Sequence, residues 1–163
     1  MTLLEIAKWV TDNNSVGLTG SMMFKLRGID LEREPNDLDF VGFKGPQGRI
    51  DTIKIPEGFF YKSHDGAGSG VNSVIFFNEE LNIKLDFMYS KEEIDFDLEI
   101  PLGDLQECIQ AKIHYVKNDK SNESKAKHLR DLQKLKPYMD IASSLEFDNI
   151  NEDSTKLDLD MCL

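Results

Sequence analysis

Asp37 and Asp39, in the run Asp37-Leu38-Asp39-Phe40-Val41, are the residues of this 163-residue chain whose type and spacing best suit chemistry. The run alternates as a strand does, so Leu38 and Phe40 face one way and the two aspartates face the other. Residues two apart on a strand stand about 7 Å apart along the backbone. Two carboxylates on one face repel each other unless a cation lies between them, and oxygen-only ligands suit a hard ion such as magnesium or manganese. Just upstream, Val16-Gly17-Leu18-Thr19 predicts a short strand and Gly20-Ser21 a tight turn. Residues 22–26 then predict a helical turn or two, with the Ser21 hydroxyl at the N-cap. Amide donors at a helix start favour an anion such as a phosphate, and the missing side chain of Gly20 lets that anion approach. A phosphate cradle beside a carboxylate pair predicts a site for a metal-nucleotide complex. Each half taken alone also reads as an ordinary turn and a solvated edge strand.

A third aspartate lies in a second alternating run, Asn82-Ile83-Lys84-Leu85-Asp86-Phe87-Met88-Tyr89. Ile83, Leu85 and Phe87 share one face, with Lys84, Asp86 and Met88 on the other. The set Gly20-Ser21, then Asp37-Leu38-Asp39 between hydrophobic residues, then Asp86 on a later strand resembles the nucleotidyltransferase superfamily that includes DNA polymerase beta. The resemblance spans roughly residues 16–89, and the segment between Ser21 and the acidic strand is long for a minimal member. Further on, Ala111-Lys112, Lys127-His128 and Asp131-Leu132 look like the C-terminal helices of the nucleotidyltransferases related to abortive-infection toxins.

The resemblance implies a fold, a reaction and a set of roles. The fold is α/β, a mixed, mainly antiparallel sheet flanked by helices, with a C-terminal helical pair. The reaction moves a nucleoside monophosphate from a nucleoside triphosphate such as ATP to an acceptor hydroxyl on RNA, protein or a small molecule. Asp37, Asp39 and Asp86 would hold Mg2+ or Mn2+, Gly20 and Ser21 the phosphates, and Lys112 and Asp131 the nucleotide. Lys112 would also neutralise charge as the bond breaks. A toxin acting on transfer RNA or a partner protein fits the same chemistry. The alternative is a non-catalytic antitoxin or nucleotide-sensing protein that keeps the fold.

Composition narrows the classes. A chain this long with 40% hydrophobic residues can bury one domain's core. A net charge of -11 and a pI near 4.7 argue against a general nucleic-acid-coating protein. Cys108 and Cys162 show neither metal spacing nor a disulfide framework, as expected in a reducing cytoplasm. No stretch approaches the about 18 apolar residues of a membrane span, so a soluble, cytoplasmic protein is expected.

The remaining elements must position these groups. Thr2-Leu3-Leu4-Glu5 is a capping-box pattern that predicts a first helix to about Asp12. Residues 44–48 predict a turn, 50–55 a strand and 59–61 a short strand or aromatic plug. Residues 63–70, which include His64, predict a glycine-rich hairpin loop and not a P-loop. Residues 71–77 and 82–89 predict an antiparallel hairpin joined by Asn78-Glu79-Glu80. From Gly103 the pattern turns helical, with Leu105, Cys108, Ile109, Ile113 and Val116 as an apolar stripe. Lys112 falls in the middle of that stripe, where an ammonium needs an anionic partner or an escape to solvent. A second helix over 123–136 turns Ala126, Leu129, Leu132 and Leu135 inward, with His128 and Asp131 beside them. Between Leu105 and Tyr138 eight lysines and arginines exceed four acids, and after Met139 the sign reverses. A domain over 1–140 and an acidic tail over 141–163 are therefore expected, the tail either loose or folded back on the basic helices.

Overall fold

The computed structural model describes residues 1–43, 50–65, 72–118 and 121–161, with 65 and 153–161 as backbone alone. The turn expected at 44–48, the glycines of 66–70 and Cys162 lie outside the described residues. The chain divides into two compact units, Met1–Asp104 and Leu105–Leu163.

In the first unit, helix α1 (Leu3–Asn13) opens on the expected capping box. Glu5 N donates to Thr2 Oγ1 at 3.1 Å and Thr2 N donates to Glu5 Oε2 at 2.7 Å. Both bonds satisfy amides that the first turn would leave orphaned. Thr2→Ala should therefore cost about 1 kcal/mol, read as a lower urea midpoint of the full chain. An unchanged midpoint would contradict the cap's role. The apolar stripe Ile6, Ala7 and Val10 is buried.

After β1 (Gly17–Thr19) and α2 (Gly20–Leu26), the strands are β2 (Leu38–Phe43), β3 (Phe60–Asp65), β4 (Ser73–Asn78), β5 (Ile83–Tyr89), β6 (Ile94–Asp95) and β7 (Leu102–Gly103). They form one mixed sheet in the order β3-β4-β5-β2-β1-β7-β6. The pairs β1–β7 and β2–β5 are parallel, and the other four are antiparallel. Helix α1 packs on β1, and α2 on β1 and β2. The core runs through Leu38, Phe40, Leu85 and Phe87, all 0% exposed, with the Phe40 and Phe87 rings stacked 5.1 Å apart. Such burial contributes about 1.5–3 kcal/mol per side chain, enough to fix the register of β2 on β5. A slip of one residue would turn these rings to the opposite face.

The strand and hairpin expectations need three corrections in this unit. Residues 50–55 are not a strand: Ile50–Thr52 is a 3-10 turn, closed by Ile53 N donating to Ile50 O. Asn14 then binds both main-chain groups of Lys54, Nδ2 to O at 2.8 Å and N to Oδ1 at 2.9 Å, and so takes the place of a neighbouring strand. Ser63, His64 and Asp65 belong to β3, not to a loop, because a register shift between Tyr61 and Ser63 keeps the chain paired with β4. The hairpin turn runs over 79–82, Asn82 taking φ 53°, a left-handed conformation that asparagine tolerates.

The second unit holds α3 (Leu105–Asn118), α4 (Asn122–Leu135), a 3-10 turn (Lys136–Tyr138) and α5 (Ile141–Met161). The expected stripe of α3 is buried at Cys108, Ile109, Ile113 and Val116, and Lys112 is buried among them. The acidic segment after Met139 is helical and packs on α3. Phe147 is 2% exposed, and the basic residues Lys117 and Lys136 meet Glu146 and Asp148. Among the described residues no helix is long and apolar enough to cross a membrane.

Candidate functional site

Parallel pairing of β2 and β5 sets Asp39 directly opposite Asp86. Opposed residues on adjacent strands point to the same side, so both carboxylates emerge on the face away from Phe40 and Phe87. Asp37, one residue ahead of β2, shares that face by alternation. Its Oδ1 accepts a hydrogen bond from Lys84 N at 3.2 Å, and its Oδ2 lies 4.0 Å from Lys84 Nζ. Lys84 alternates with Asp86 on β5 and brings a cation to the acidic face.

Asp86 shows most clearly what this crowding costs. Its Oδ1 is buried and, among the described residues, meets no hydrogen-bond donor. Burial, followed by the Asp39 carboxylate, pushes its acid up from 3.8 to about 6; Lys84 opposes the shift and Asp37 adds to it. A carboxylate destabilised by lost water and by like charge is one that a bound cation would relieve.

The turn after β1 closes the site. Thr19 pairs with Asp39 in register, which carries the next residue, Gly20, against the Asp39 side chain. Gly20 has φ +70°, and a Cβ there would stand 2.6 Å from Asp39 Oδ2. Glycine is thus required both by the backbone and by the carboxylate it abuts. The Ser21 hydroxyl is not the N-cap. Thr19 holds that position, because the chain reverses at Gly20 and Ser21 is already within the helix. The Ser21 Oγ instead accepts a hydrogen bond from Arg33 Nη2 at 2.7 Å.

Gly20→Ala should cost about 1–2 kcal/mol in stability from the left-handed backbone, and should displace the Asp39 carboxylate. The expected readout is a modest fall in melting temperature with at least about a tenfold loss of Mn2+ affinity. Wild-type affinity in the variant would show that the glycine is a folding device alone.

The fit to a divalent cation is one of donors. Asp37, Asp39 and Asp86 supply only oxygen, the set that Mg2+ and Mn2+ take. Among the described residues no three acidic, histidine or cysteine side chains stand close enough together to hold a metal as they are, and Asp37 is engaged with Lys84. Asp39 and Asp86 are the facing pair.

Lys112 and Asp131 lie in the second unit and bind each other. Nζ donates to Asp131 Oδ2 at 3.1 Å, with the two side chains only 8% and 2% exposed. This supplies the anionic partner that a lysine on an apolar stripe needs. Among the other candidates, His64 is exposed on β3 and bonded to Tyr61, and His128 stacks near Tyr115 at 5.4 Å. Cys108 is a buried free thiol. A groove of about 690 Å³ along α1, lined by Met1, Leu4, Trp9 and Leu98 among others, includes none of the three aspartates.

Two residues of the site went unassigned in the sequence. Lys84 was legible as sharing a face with Asp86, but its tie to Asp37 spans 47 positions. Arg33 sits in an irregular segment with no periodic signal.

No family model matches the chain, and no curated protein is significantly similar to it. A crystal structure of JHP933 from Helicobacter pylori matches with a TM-score of 0.59 at 20% identity, over 95% of this chain and 74% of that one. At that identity the likeness shows a shared α/β fold.

Proposed function

We propose that the chain is a metal-dependent nucleotidyltransferase that moves a nucleoside monophosphate from a nucleoside triphosphate to an acceptor hydroxyl. The single observation that carries this reading is the opposed pair Asp39 and Asp86 with the Gly20 turn pressed against Asp39. In the reaction the acceptor oxygen attacks the α-phosphorus, the bond to pyrophosphate breaks, and the hydroxyl proton must leave. Asp86, facing Asp39 across the two strands, stands where a carboxylate could take that proton. Asp39 and Asp86, the facing pair, would hold Mg2+ or Mn2+, which when bound would draw charge off the phosphate oxygens. Gly20 lets the turn lie against the Asp39 carboxylate, and Ser21 offers a phosphate its hydroxyl.

The reading needs neither Lys112 nor Asp131, which neutralise each other. Transfer RNA or a partner protein is the acceptor class that a toxin of this type would modify. The test is incubation with α-labelled nucleoside triphosphates, magnesium and total RNA or protein. Label should pass to an acceptor with wild type and not with Asp39→Ala. Label transfer that persists in Asp39→Ala would overturn the assignment.

One observation favours a second reading, a non-catalytic nucleotide sensor or antitoxin on the same fold. Lys84 occupies Asp37, so the third carboxylate is not gathered with the other two. Under that reading, replacing Asp37, Asp39 and Asp86 together leaves partner binding unchanged.

A further inference from the structure

The segment between α2 and β2 holds no helix or strand and is tied down by local bonds. Gly28 takes φ +81° after the helix, and Ile29 N donates back to Phe24 O at 2.9 Å. Ile29, Leu31 and Pro35 are buried and so pin the segment to the body at three points. Between them Asp30 Oδ1 accepts from Glu32 N at 2.7 Å, and Glu32 is held at φ 57°. A non-glycine residue in that region costs about 1–2 kcal/mol, which the buried anchors offset. The result of this tight reversal is that Arg33, half-buried, reaches back across 12 positions to Ser21 Oγ at 2.7 Å.

Its surroundings sort the charges. A hollow of about 260 Å³ is lined by Ser21, Lys25, Asp30, Arg33 and Glu34 among others. Lys25 Nζ is bound to Glu34 at 2.8 Å, and Asp30 is bound to the Glu32 amide. The guanidinium of Arg33 is a cation in direct contact with the serine that follows Gly20. A hollow of this size has room for a phosphate chain.

We propose that Arg33 is a phosphate-binding residue of this site, which with Ser21 takes the polyphosphate chain of a nucleoside triphosphate. A planar guanidinium presents paired N–H donors to phosphate oxygens, a geometry lysine lacks. The proposal rests on the nucleotidyltransferase reading and deepens it by naming the group that meets the charge of the phosphates.

The test uses the full chain and calorimetric titration with magnesium tripolyphosphate and with a non-hydrolysable ATP analogue. Mn2+ alone is titrated in parallel, and a thermal melt confirms folding. Arg33→Gln should weaken both polyphosphate ligands at least about tenfold, the loss of one or two charge-assisted hydrogen bonds, while Mn2+ binding stays as in wild type. Arg33→Lys, which keeps the charge without the fork, should fall between the two and carries the test if the glutamine variant does not fold. If wild type binds polyphosphate and both Arg33 variants bind it equally well, this inference fails and the broader reading stands. If wild type binds neither ligand, both fail.

Discussion

Asp86→Asn should make the protein more stable and inactive at once. At neutral pH the folded chain must keep Asp86 ionised against burial and the nearby Asp39 charge, which is why its acid sits near 6 instead of 3.8. An acid whose folded value is raised holds its proton more tightly folded than unfolded. Its cost to stability is therefore full above about pH 6, shrinks as the pH falls, and is gone below about pH 4. A shift of this size corresponds to at most about 3 kcal/mol, and partial exposure reduces it to about 1–2 kcal/mol. Asparagine removes the charge with nearly the same shape, so the variant should melt a few degrees higher at pH 7 and at the wild-type temperature near pH 4. Nucleotide transfer should fall by at least about a thousandfold, the scale of losing a main electrostatic group of a reacting site. A variant that is destabilised at pH 7, or one that transfers label normally, would contradict this account of Asp86.

The second large effect lies in the helical unit. Lys112→Met removes the ammonium bound to the buried Asp131 carboxylate, and breaking a buried pair from one side costs about 3–5 kcal/mol. Removing both charges in Lys112→Met/Asp131→Leu should recover most of that loss, because two well-packed apolar chains replace a pair whose desolvation nearly cancels its attraction. Chemical denaturation of the wild type, the single variant and the double variant measures both steps. A single variant as stable as wild type would show that the pair contributes nothing. The double variant should keep nucleotide transfer; loss of transfer in a folded double variant would return both residues to the nucleotide.

What the sequence made legible follows the reach of its signals. Period-two alternation placed Asp37, Asp39 and Asp86 on strand faces opposite Leu38, Phe40, Leu85 and Phe87, and those four residues are fully buried in the core. That β2 lies beside β5 in parallel is a pairing across 47 positions, from Asp39 to Asp86, that alternation alone does not contain. The resemblance implied that Asp86 joins the acidic pair at one site; the parallel sense of the pairing is seen in the structure alone. The same alternation misled at residues 50–55, where Asn14 captures Lys54 and forestalls a ladder. Ser21 was misplaced by two positions, because the helix already begins at the left-handed Gly20 with Thr19 as its N-cap. Arg33 could not be found by pattern, since its return to Ser21 depends on Ile29 and Leu31 being buried and on an unusual φ at Glu32. Lys112 was legible as a lysine needing an anion, and Asp131 was singled out separately. Their pairing is a contact between two helices.

The central claim is that the carboxylates at 39 and 86 form one cation site beside the glycine turn. Electron paramagnetic resonance of Mn2+ with the full chain, alone and with a non-hydrolysable nucleoside triphosphate, tests it most directly. Wild type should bind the ion more tightly when the nucleotide is present, and Asp39→Asn and Asp86→Asn should each lose at least about a hundredfold in affinity. Equal Mn2+ binding by wild type and both variants would contradict the account.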